Sequence, residues 1–193
     1  MTRKEILRAA AQIFQEKGYH ASSMQDIAEA VELKKGSLYH HVKSKQEILL
    51  ALLDEALEMI IDRLDQINSQ DLPPDLKLRQ AMRSYLTFLA DNRSIASVLL
   101  LEYRSLEPEL KKLHIPRRDQ VDRIWQEIIT EGISLGVFQT AHPALITKAL
   151  VGVLNWTITW YREDGALSPT EIADHFSDLF FQGLLTHKST NES

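Results

Sequence analysis

Apolar residues recur at helical spacing almost from end to end of this chain, and this spacing limits the fold more than any other feature. The longest pattern begins after Lys45 and continues for about 23 residues, or roughly 35 Å at 1.5 Å per residue. Its apolar members are Ile48, Leu49, Leu52, Leu53, Ala56, Ile60, Leu64 and Ile67. No segment alternates apolar and polar residues convincingly, as a β-strand would. We therefore predict an all-α protein.

Three short helical patterns precede the long one. Apolar spacing and a cap at Gly18 predict a first helix that ends near Lys17. Ser23 is placed to cap a second helix, and a third begins near Lys34 or Lys35 after a tight turn. Two short helices joined in this way and covered by a third form a helix-turn-helix module, although any three-helix bundle is the alternative.

The pair Pro73–Pro74 is the clearest break in the rest of the sequence, because two prolines cannot continue a helix. A new helix is predicted from there to about Ala90. Further helices are predicted at about residues 94–104, 109–135, 144–163 and 169–187, and Pro116 is expected to kink or break the second of these. Ser168 and Glu171 have the spacing of a capping box at the start of the last helix.

The composition excludes several classes of protein. The chain has no cysteine, which rules out disulfides, Cys-zinc sites, thiol nucleophiles and iron–sulfur clusters and favours a cytoplasmic protein. The net charge of -5 argues against a uniformly basic coat for nucleic acid or membranes. The longest apolar run, from Ile48 to Leu53, is far shorter than a membrane span, which needs about 20 residues. The first residues lack the apolar core of a signal peptide, so we predict no membrane partner.

Charge is unevenly distributed along the chain. Residues 1–47 contain eight Lys or Arg and six Asp or Glu, a net charge of +2, whereas the rest of the chain carries -7. A small basic head on a larger acidic body is typical of a local DNA-contacting module, although scattered solvated charges can give the same counts.

The segment from Ile27 to Lys45 contains the most specific motif in the chain. Its core is the string Gly-Ser-Leu-Tyr, with a lysine six residues after the tyrosine. This segment strongly resembles the TetR/AcrR family of bacterial transcriptional regulators, sharply over about residues 3–50 and more loosely over the whole chain. The resemblance implies a three-helix DNA-binding domain, placed at residues 1–47, and a helical ligand-binding and dimerisation domain, placed at 48–187. A polar tail follows at 188–193.

The resemblance also implies which residues of the head contact DNA, namely Ser22, Lys34, Lys35, Gly36, Ser37, Tyr39, His40 and Lys45. Gly36 has no side chain and permits close approach to the DNA backbone. Tyr39 and Lys45 offer a hydroxyl and an ammonium group to phosphates. The lysines of the short helix and its serine can face base edges in the major groove. The alternative for each position is a solvated surface residue.

Three positions depart from the family pattern. Glu32 replaces the usual glycine of the turn and must accept a conformation that costs about 1 kcal/mol more than it would for glycine. Lys34 replaces the usual capping serine or threonine, and Val42 replaces a larger phenylalanine. None of the three removes a DNA-contacting group.

The adjacent residues His40 and His41 raise the question of a metal site. Their side chains point about 100° apart on a helix, and no acidic or histidine partner stands three or four residues away on the same face. We therefore predict no metal and no cofactor. We expect His40 to contact DNA and His41 to pack.

A mixed stretch in the C-terminal half points to an effector site. The segment from Gly152 to Arg162 places Asn, Trp, Thr and Arg in a mostly apolar helix. This segment, together with residues 102–106 and 165–173, resembles the TetR-like regulators of fatty-acid or sterol degradation that respond to acyl-CoA thioesters. This resemblance is looser than that of the motif at Ile27 to Lys45. Such a ligand needs an apolar tunnel, hydrogen-bonding partners and cations for its phosphates. The candidates are Arg104, Trp125, Asn155, Trp156, Thr159, Trp160 and Arg162; the alternative is that the tryptophans form core and dimer packing.

The last predicted helix has more apolar surface than one neighbouring helix can cover. We therefore predict a homodimer with a four-helix interface. Its candidate residues are Phe176, Leu179, Phe180 and Leu184.

Together these features predict a DNA-binding transcriptional regulator, a repressor that leaves double-stranded operator DNA when a hydrophobic effector such as an acyl-CoA binds. Two alternatives remain open: a sensor of other hydrophobic molecules or drugs, and a helical ligand-binding adaptor that no longer binds DNA. The sequence has no glycine-rich phosphate loop and no metalloprotease or serine-hydrolase motif, so we do not predict an enzyme.

Overall fold

The structure, a computed structural model, describes residues 2–184, with side chains described through Gln182. Regular structure in this part of the chain is helical, which confirms the all-α prediction. The helices are α1 Arg3–Lys17, α2 Met24–Ala30, α3 Lys35–Leu38, α4 Lys45–Asn68, α5 Pro74–Asp91, α6 Arg93–Ser97, α7 Pro108–Ser134, α8 Pro143–Trp160 and α9 Pro169–Leu184. None of these helices is long and apolar enough to cross a membrane. The predicted polar tail at 188–193 lies outside the described residues.

The chain divides into two compact units. The first contains residues up to Ile60 together with Asp91–Asp119, and the second contains Ile61–Ala90 together with the described residues from Gln120. The core of the first unit includes the fully buried side chains Ile6, Phe14, Ile27, Leu38, Val42 and Ile48. That of the second includes Leu64, Phe88, Trp125, Ile128, Leu150 and Leu154. The domain boundary after residue 47 stays a prediction.

Side-chain caps begin the helices where the sequence predicts them. The Asp26 amide donates to the Ser23 hydroxyl at 3.2 Å, and the Ser23 amide donates to the Asp26 carboxylate at 2.7 Å. Ser168 and Glu171 form the same reciprocal pair at the start of α9. These capping boxes satisfy amides that have no partner inside the helix.

Three predicted helices differ from those observed. The helix predicted at 94–104 is α6 followed by a π-helical turn, Val98–Glu102, and a 3₁₀ turn, Tyr103–Ser105. Pro116 does not break α7, although its missing N–H removes one helical hydrogen bond. Helix α8 ends at Trp160, so Arg162 lies in the following loop and not at a helix end.

Candidate DNA interface and effector site

The turn between α2 and α3 depends on a backbone conformation that favours glycine. Glu32 has a φ of 53°, which confirms the expectation that it takes the place of a glycine. Its amide donates to the carbonyl of Glu29 at 3.1 Å, and the Leu33 amide donates to that of Ala28 at 2.9 Å. These bonds close the turn and direct the chain into α3.

Helix α3 is short and is anchored by two fully buried residues, Leu38 and Val42. It begins at Lys35, within the predicted range, and Lys34 makes no side-chain hydrogen bond to cap it. The valine that stands in place of a larger phenylalanine is itself completely buried, so it keeps a place in the core.

Six of the eight predicted DNA contacts form one exposed array on or beside α3: Lys34, Lys35, Gly36, Ser37, Tyr39 and His40. The Tyr39 side chain is 44% exposed although its neighbour Leu38 is buried. A Cβ added at Gly36 would meet nothing within 4 Å, so the protein itself does not require glycine there. The predicted close approach of DNA at Gly36 stays a prediction.

Ser22 and Lys45, the other two predicted contacts, face the protein. The Ser22 side chain is buried, and its hydroxyl donates to the carbonyl of Tyr19 at 2.7 Å. The Lys45 ammonium donates to the carbonyls of Tyr19 and Ser22 at 2.7 and 2.6 Å. Both residues therefore have structural roles in the loop between α1 and α2, and their contact with DNA stays a prediction.

The two adjacent histidines are both exposed, so His41 does not pack as expected. No group of three or more His, Asp or Glu side chains within residues 2–184 is arranged to hold a metal ion.

Two of the predicted effector residues, Asn155 and Trp125, both contact Tyr85 in the second unit. The Tyr85 hydroxyl donates to the Asn155 side-chain oxygen at 2.6 Å, and the Tyr85 ring lies edge-on to Trp125 at 5.9 Å between centroids. Burial raises the pKa of Tyr85 far above its ordinary value, with a smaller contribution from the charge of Asp122. Trp125 is completely buried, and its indole N–H has no hydrogen-bond partner within residues 2–184. Sequence reasoning missed Tyr85, since a tyrosine at core spacing in α5 carries no separate signal.

Two other predicted effector residues border a surface depression of about 350 Å³ beside the loop between α8 and α9. Trp160 lies edge-on to Phe176 there, with 6.5 Å between ring centroids. Arg162 also lines the depression and pairs with Asp164 at 2.8 Å, which raises the pKa of the guanidinium. Arg104 belongs to the first unit and is not part of this depression.

The remaining predicted effector residues, Trp156 and Thr159, are exposed on α8. Trp156 is 66% exposed, and its carbonyl accepts a hydrogen bond from the Thr159 hydroxyl at 2.7 Å. Leu145 and Val153 are further exposed apolar residues of the same helix. We define the α8 stripe as the exposed residues Leu145, Val153, Trp156, Thr159 and Trp160 of this helix.

Of the predicted dimer residues, Leu179 is 64% exposed, and Phe176 and Phe180 are half-buried. Phe181, on an adjoining face of α9, is buried and stacks on Phe138 with 6.2 Å between ring centroids. The Leu184 side chain lies outside the described residues.

A helix-turn-helix head with an exposed polar array, joined to a helical body, defines a DNA-binding regulator of transcription. Comparison with known families agrees with this class. A family model described as bacterial regulatory proteins, tetR family, matches residues 6–52, and one described as tetracyclin repressor-like, C-terminal domain, matches residues 71–184. The chain belongs to the TetR family, whose members are transcriptional regulators and not enzymes.

Two curated relatives align over nearly their whole length. The HTH-type transcriptional repressor KstR2 of Mycolicibacterium smegmatis is 27% identical, with 94% of this chain and 90% of the relative covered. The fatty acid metabolism regulator protein of Bacillus subtilis is 25% identical, with 93% of this chain and 94% of the relative covered.

Solved structures share the fold. The TetR family transcriptional regulator PfmR from Thermus thermophilus superposes with a TM-score of 0.86 at 34% identity and covers 92% of this chain and 97% of its own. AibR in complex with isovaleryl coenzyme A and operator DNA also gives a TM-score of 0.86, at 24% identity, and covers 93% of this chain and 97% of its own. At the latter identity the likeness concerns the fold alone.

Proposed function

We propose that this protein is a homodimeric repressor that leaves its operator when it binds a hydrophobic effector, with acyl-CoA thioesters as the effector class. The observation that carries the proposal is full-length similarity to a transcriptional repressor and to a fatty acid metabolism regulator, combined with the exposed array on α3. AibR, a regulator of the same fold, is known with an acyl-CoA and operator DNA.

The head supplies contacts of two kinds to DNA. Lys34, Lys35 and Ser37 present donors to base edges, where lysine recognises guanine and serine accepts several partners. Tyr39 supplies a hydroxyl that binds a phosphate oxygen without reading sequence. Two heads related by a two-fold axis would require a near-palindromic operator with half-sites about 34 Å apart, or a multiple of that distance.

The dimer would bury the α8 stripe together with the exposed side of α9. Trp156 and Leu179 are large apolar side chains that are mostly exposed in the single chain, and a contiguous apolar surface of this kind is typical of an interface. A second copy of the same surface would form a four-helix contact with two-fold symmetry.

Effector binding must favour one conformation over another in order to release DNA. Helix α4 begins beside the DNA-binding head and continues into the second unit, so we propose that it couples effector and operator. Couplings of this kind are typically about 1–3 kcal/mol, and operator DNA must weaken effector binding by the same factor.

The test is a fluorescence titration of operator DNA with acyl-CoAs of graded chain length. The DNA that flanks the protein's own gene is the first operator to examine in a gel shift. Release by one range of chain lengths, with no effect of the free fatty acid at equal concentration, supports the proposal. Release only by unrelated apolar compounds would replace the acyl-CoA with another hydrophobic effector, for which the apolar depression beside Trp160 has room. Absence of any specific DNA binding would leave the adaptor alternative.

A further inference from the structure

His114 is a completely buried imidazole with one unused nitrogen. Its Nδ1 lies 2.9 Å from the carboxylate of Asp54, whereas Nε2 is buried and has no hydrogen-bond partner among the described residues. A carboxylate accepts hydrogen bonds, so Nδ1 donates to Asp54; in the neutral tautomer that carries this hydrogen, Nε2 presents a lone pair. Buried polar groups nearly always have a partner, and a missing one calls for an explanation.

Tyr103 lies beside this imidazole and is surrounded by cations. The rings of Tyr103 and His114 are 5.9 Å apart at an angle of 36°. The Arg118 guanidinium lies 5.0 Å from the centre of the Tyr103 ring, and the Lys111 ammonium lies 5.9 Å from it. Lys111, His114 and Arg118 share one face of α7, because they are three and four residues apart.

The cations around Tyr103 have no acidic partner within the described part of the chain. Lys111 donates to the backbone carbonyl of Arg104 at 2.7 Å, and neither Lys111 nor Arg118 forms an ion pair there. The neighbouring carboxylates have other contacts. Glu109 pairs with Lys112 at 2.9 Å, and Glu102 accepts from the Tyr19 amide and the Ser105 hydroxyl, each at 3.1 Å.

Tyr103 occupies an irregular part of the chain. It follows the π-helical turn Val98–Glu102 and begins the 3₁₀ turn that leads to α7. Such turns are uncommon and often mark functional sites, because the local winding serves something other than helix stability. Tyr103 is only half-buried and its ring contacts that of His114, so it lies between the buried imidazole and the solvent.

We propose that Lys111 and Arg118 bind phosphate groups of the effector, beside Arg104, whose carbonyl accepts a hydrogen bond from Lys111, and that a hydroxyl or amide N–H behind those phosphates donates to His114 Nε2. This inference rests on the proposed function, since it assigns the polar end of an acyl-CoA to the first unit of the chain. Coenzyme A carries phosphates at one end and hydroxyl and amide groups along its length, so its chemistry fits both parts of this site. We call these residues, with Tyr103 and Asp54, the Tyr103 site.

Calorimetric titration of the full-length protein with octanoyl-CoA, coenzyme A and octanoate tests the site. The double variant Lys111→Gln/Arg118→Gln should bind octanoyl-CoA and coenzyme A about tenfold or more weakly, because charge-assisted bonds to phosphate are lost. Its affinity for octanoate should be unchanged. The matched control is Lys112→Gln/Arg117→Gln, which removes the same charge from another face of α7 and should change each affinity by less than about twofold.

Two substitutions of His114 distinguish the roles of its two ring nitrogens. His114→Asn keeps a donor near Nδ1 for Asp54 and removes Nε2, so it should melt like the wild type and bind octanoyl-CoA about fivefold more weakly. His114→Gln places an amide oxygen near the position of Nε2 and should recover part of that affinity. Equal binding by wild type and His114→Asn at equal stability overturns the role of this residue.

The outcomes also separate this site from the proposed function and from DNA binding. If octanoyl-CoA binds wild type and both double variants equally, or if the control loses as much as the test variant, the Tyr103 site is wrong and the proposed function stands. If no acyl-CoA binds wild type at all, the acyl-CoA effector of the proposed function is wrong, and the Tyr103 site, which depends on it, is wrong as well. If Lys111→Gln/Arg118→Gln loses operator affinity without effector, the cations serve DNA, which also overturns the site.

Discussion

The side-chain ammonium of Lys45 lies 2.7 Å from the carbonyl oxygen of Tyr19, to which it donates a hydrogen bond. The same nitrogen lies 4.3 Å from the centre of the Tyr19 ring. Burial lowers the pKa of this lysine, although the charges of Asp26 and Glu102 act in the opposite direction. The lysine that the sequence predicts to contact a DNA phosphate therefore ties the loop after α1 to the start of α4.

Lys45→Ala should lower both stability and operator affinity. Loss of the hydrogen bonds to Tyr19 and Ser22 should reduce the free energy of unfolding by about 1–3 kcal/mol. Loss of a phosphate contact should also lower the slope of log affinity against log salt by about 1. Lys43→Ala is the control. The side chain of Lys43 is exposed, and its removal keeps the hydrogen bonds from Lys45 to these carbonyls. Urea unfolding and operator titrations at several salt concentrations measure the two effects, and an unchanged unfolding midpoint would contradict the structural role.

Glu32→Gly should stabilise the head. A non-glycine residue at positive φ costs about 1–2 kcal/mol, which glycine would avoid. Part of the stability gained in this way is offset by the greater freedom of glycine in the unfolded chain. We expect a net gain of about 0.5–1 kcal/mol in urea unfolding. Glu29→Gly, three residues earlier in helical conformation, should instead lose about 1 kcal/mol. A destabilising effect of Glu32→Gly would mean that the glutamate side chain makes a contribution larger than its backbone cost.

The sequence predicts the head in detail because its signals are local. The cap at Ser23, the turn at Glu32 and the exposed surface of α3 each depend on a few neighbouring residues. By contrast, the bond from Tyr85 to Asn155 joins residues 70 apart, and the contact of His114 with Asp54 joins residues 60 apart. Residue spacing in the sequence cannot predict contacts between such distant residues. The contacts inside a candidate effector site are therefore the ones that the sequence does not predict.

The π-helical turn shows a second limit of sequence reasoning. Periodicity correctly indicates helix for residues 94–104, but it cannot distinguish an α-helix from a wider turn of only five residues, Val98–Glu102. The difference matters because the wider turn shifts the direction of the following side chains. Tyr103, which follows it, is a residue that the sequence did not single out.

Asp26 should make the head sensitive to acid. Hydrogen bonds from Lys17 and Ser23 lower the pKa of its carboxylate well below the ordinary value of 3.8. A carboxylate with a lowered folded pKa stabilises the protein above its unfolded pKa, and this contribution is lost as the pH falls through the folded value. The urea midpoint of wild type should therefore fall more steeply below about pH 4 than that of Asp26→Asn. Glu16→Gln, which removes an exposed carboxylate of α1 that forms no ion pair within residues 2–184, should keep the wild-type pH dependence.

Trp156→Glu and Leu179→Glu should each convert a dimer into monomers. A charge in the middle of an apolar interface must be desolvated without a partner, which costs several kcal/mol and about a thousandfold in association. Leu113→Glu is the control, since Leu113 is equally exposed at 64% but belongs to α7 in the first unit. Analytical ultracentrifugation at micromolar concentration measures the outcome. A wild-type protein that sediments only as monomer would contradict the proposed dimer.

Tyr85→Phe should weaken the effector response more than it weakens the fold. Because burial raises the pKa of Tyr85, the phenol stays protonated and donates to the Asn155 oxygen, which leaves the N–H₂ of that amide for another acceptor. That N–H₂ has no partner among the described residues and can donate to a carbonyl of the effector. Loss of one neutral hydrogen bond should cost about 1 kcal/mol of stability, and loss of the fixed amide orientation should raise the acyl-CoA concentration for operator release about fivefold. Asn155→Ala should raise it at least as much, whereas operator affinity without effector should stay within about twofold of wild type for both variants, because neither residue belongs to the head. If both variants release the operator at the wild-type acyl-CoA concentration, the pair is part of the core and Asn155 is not an effector residue.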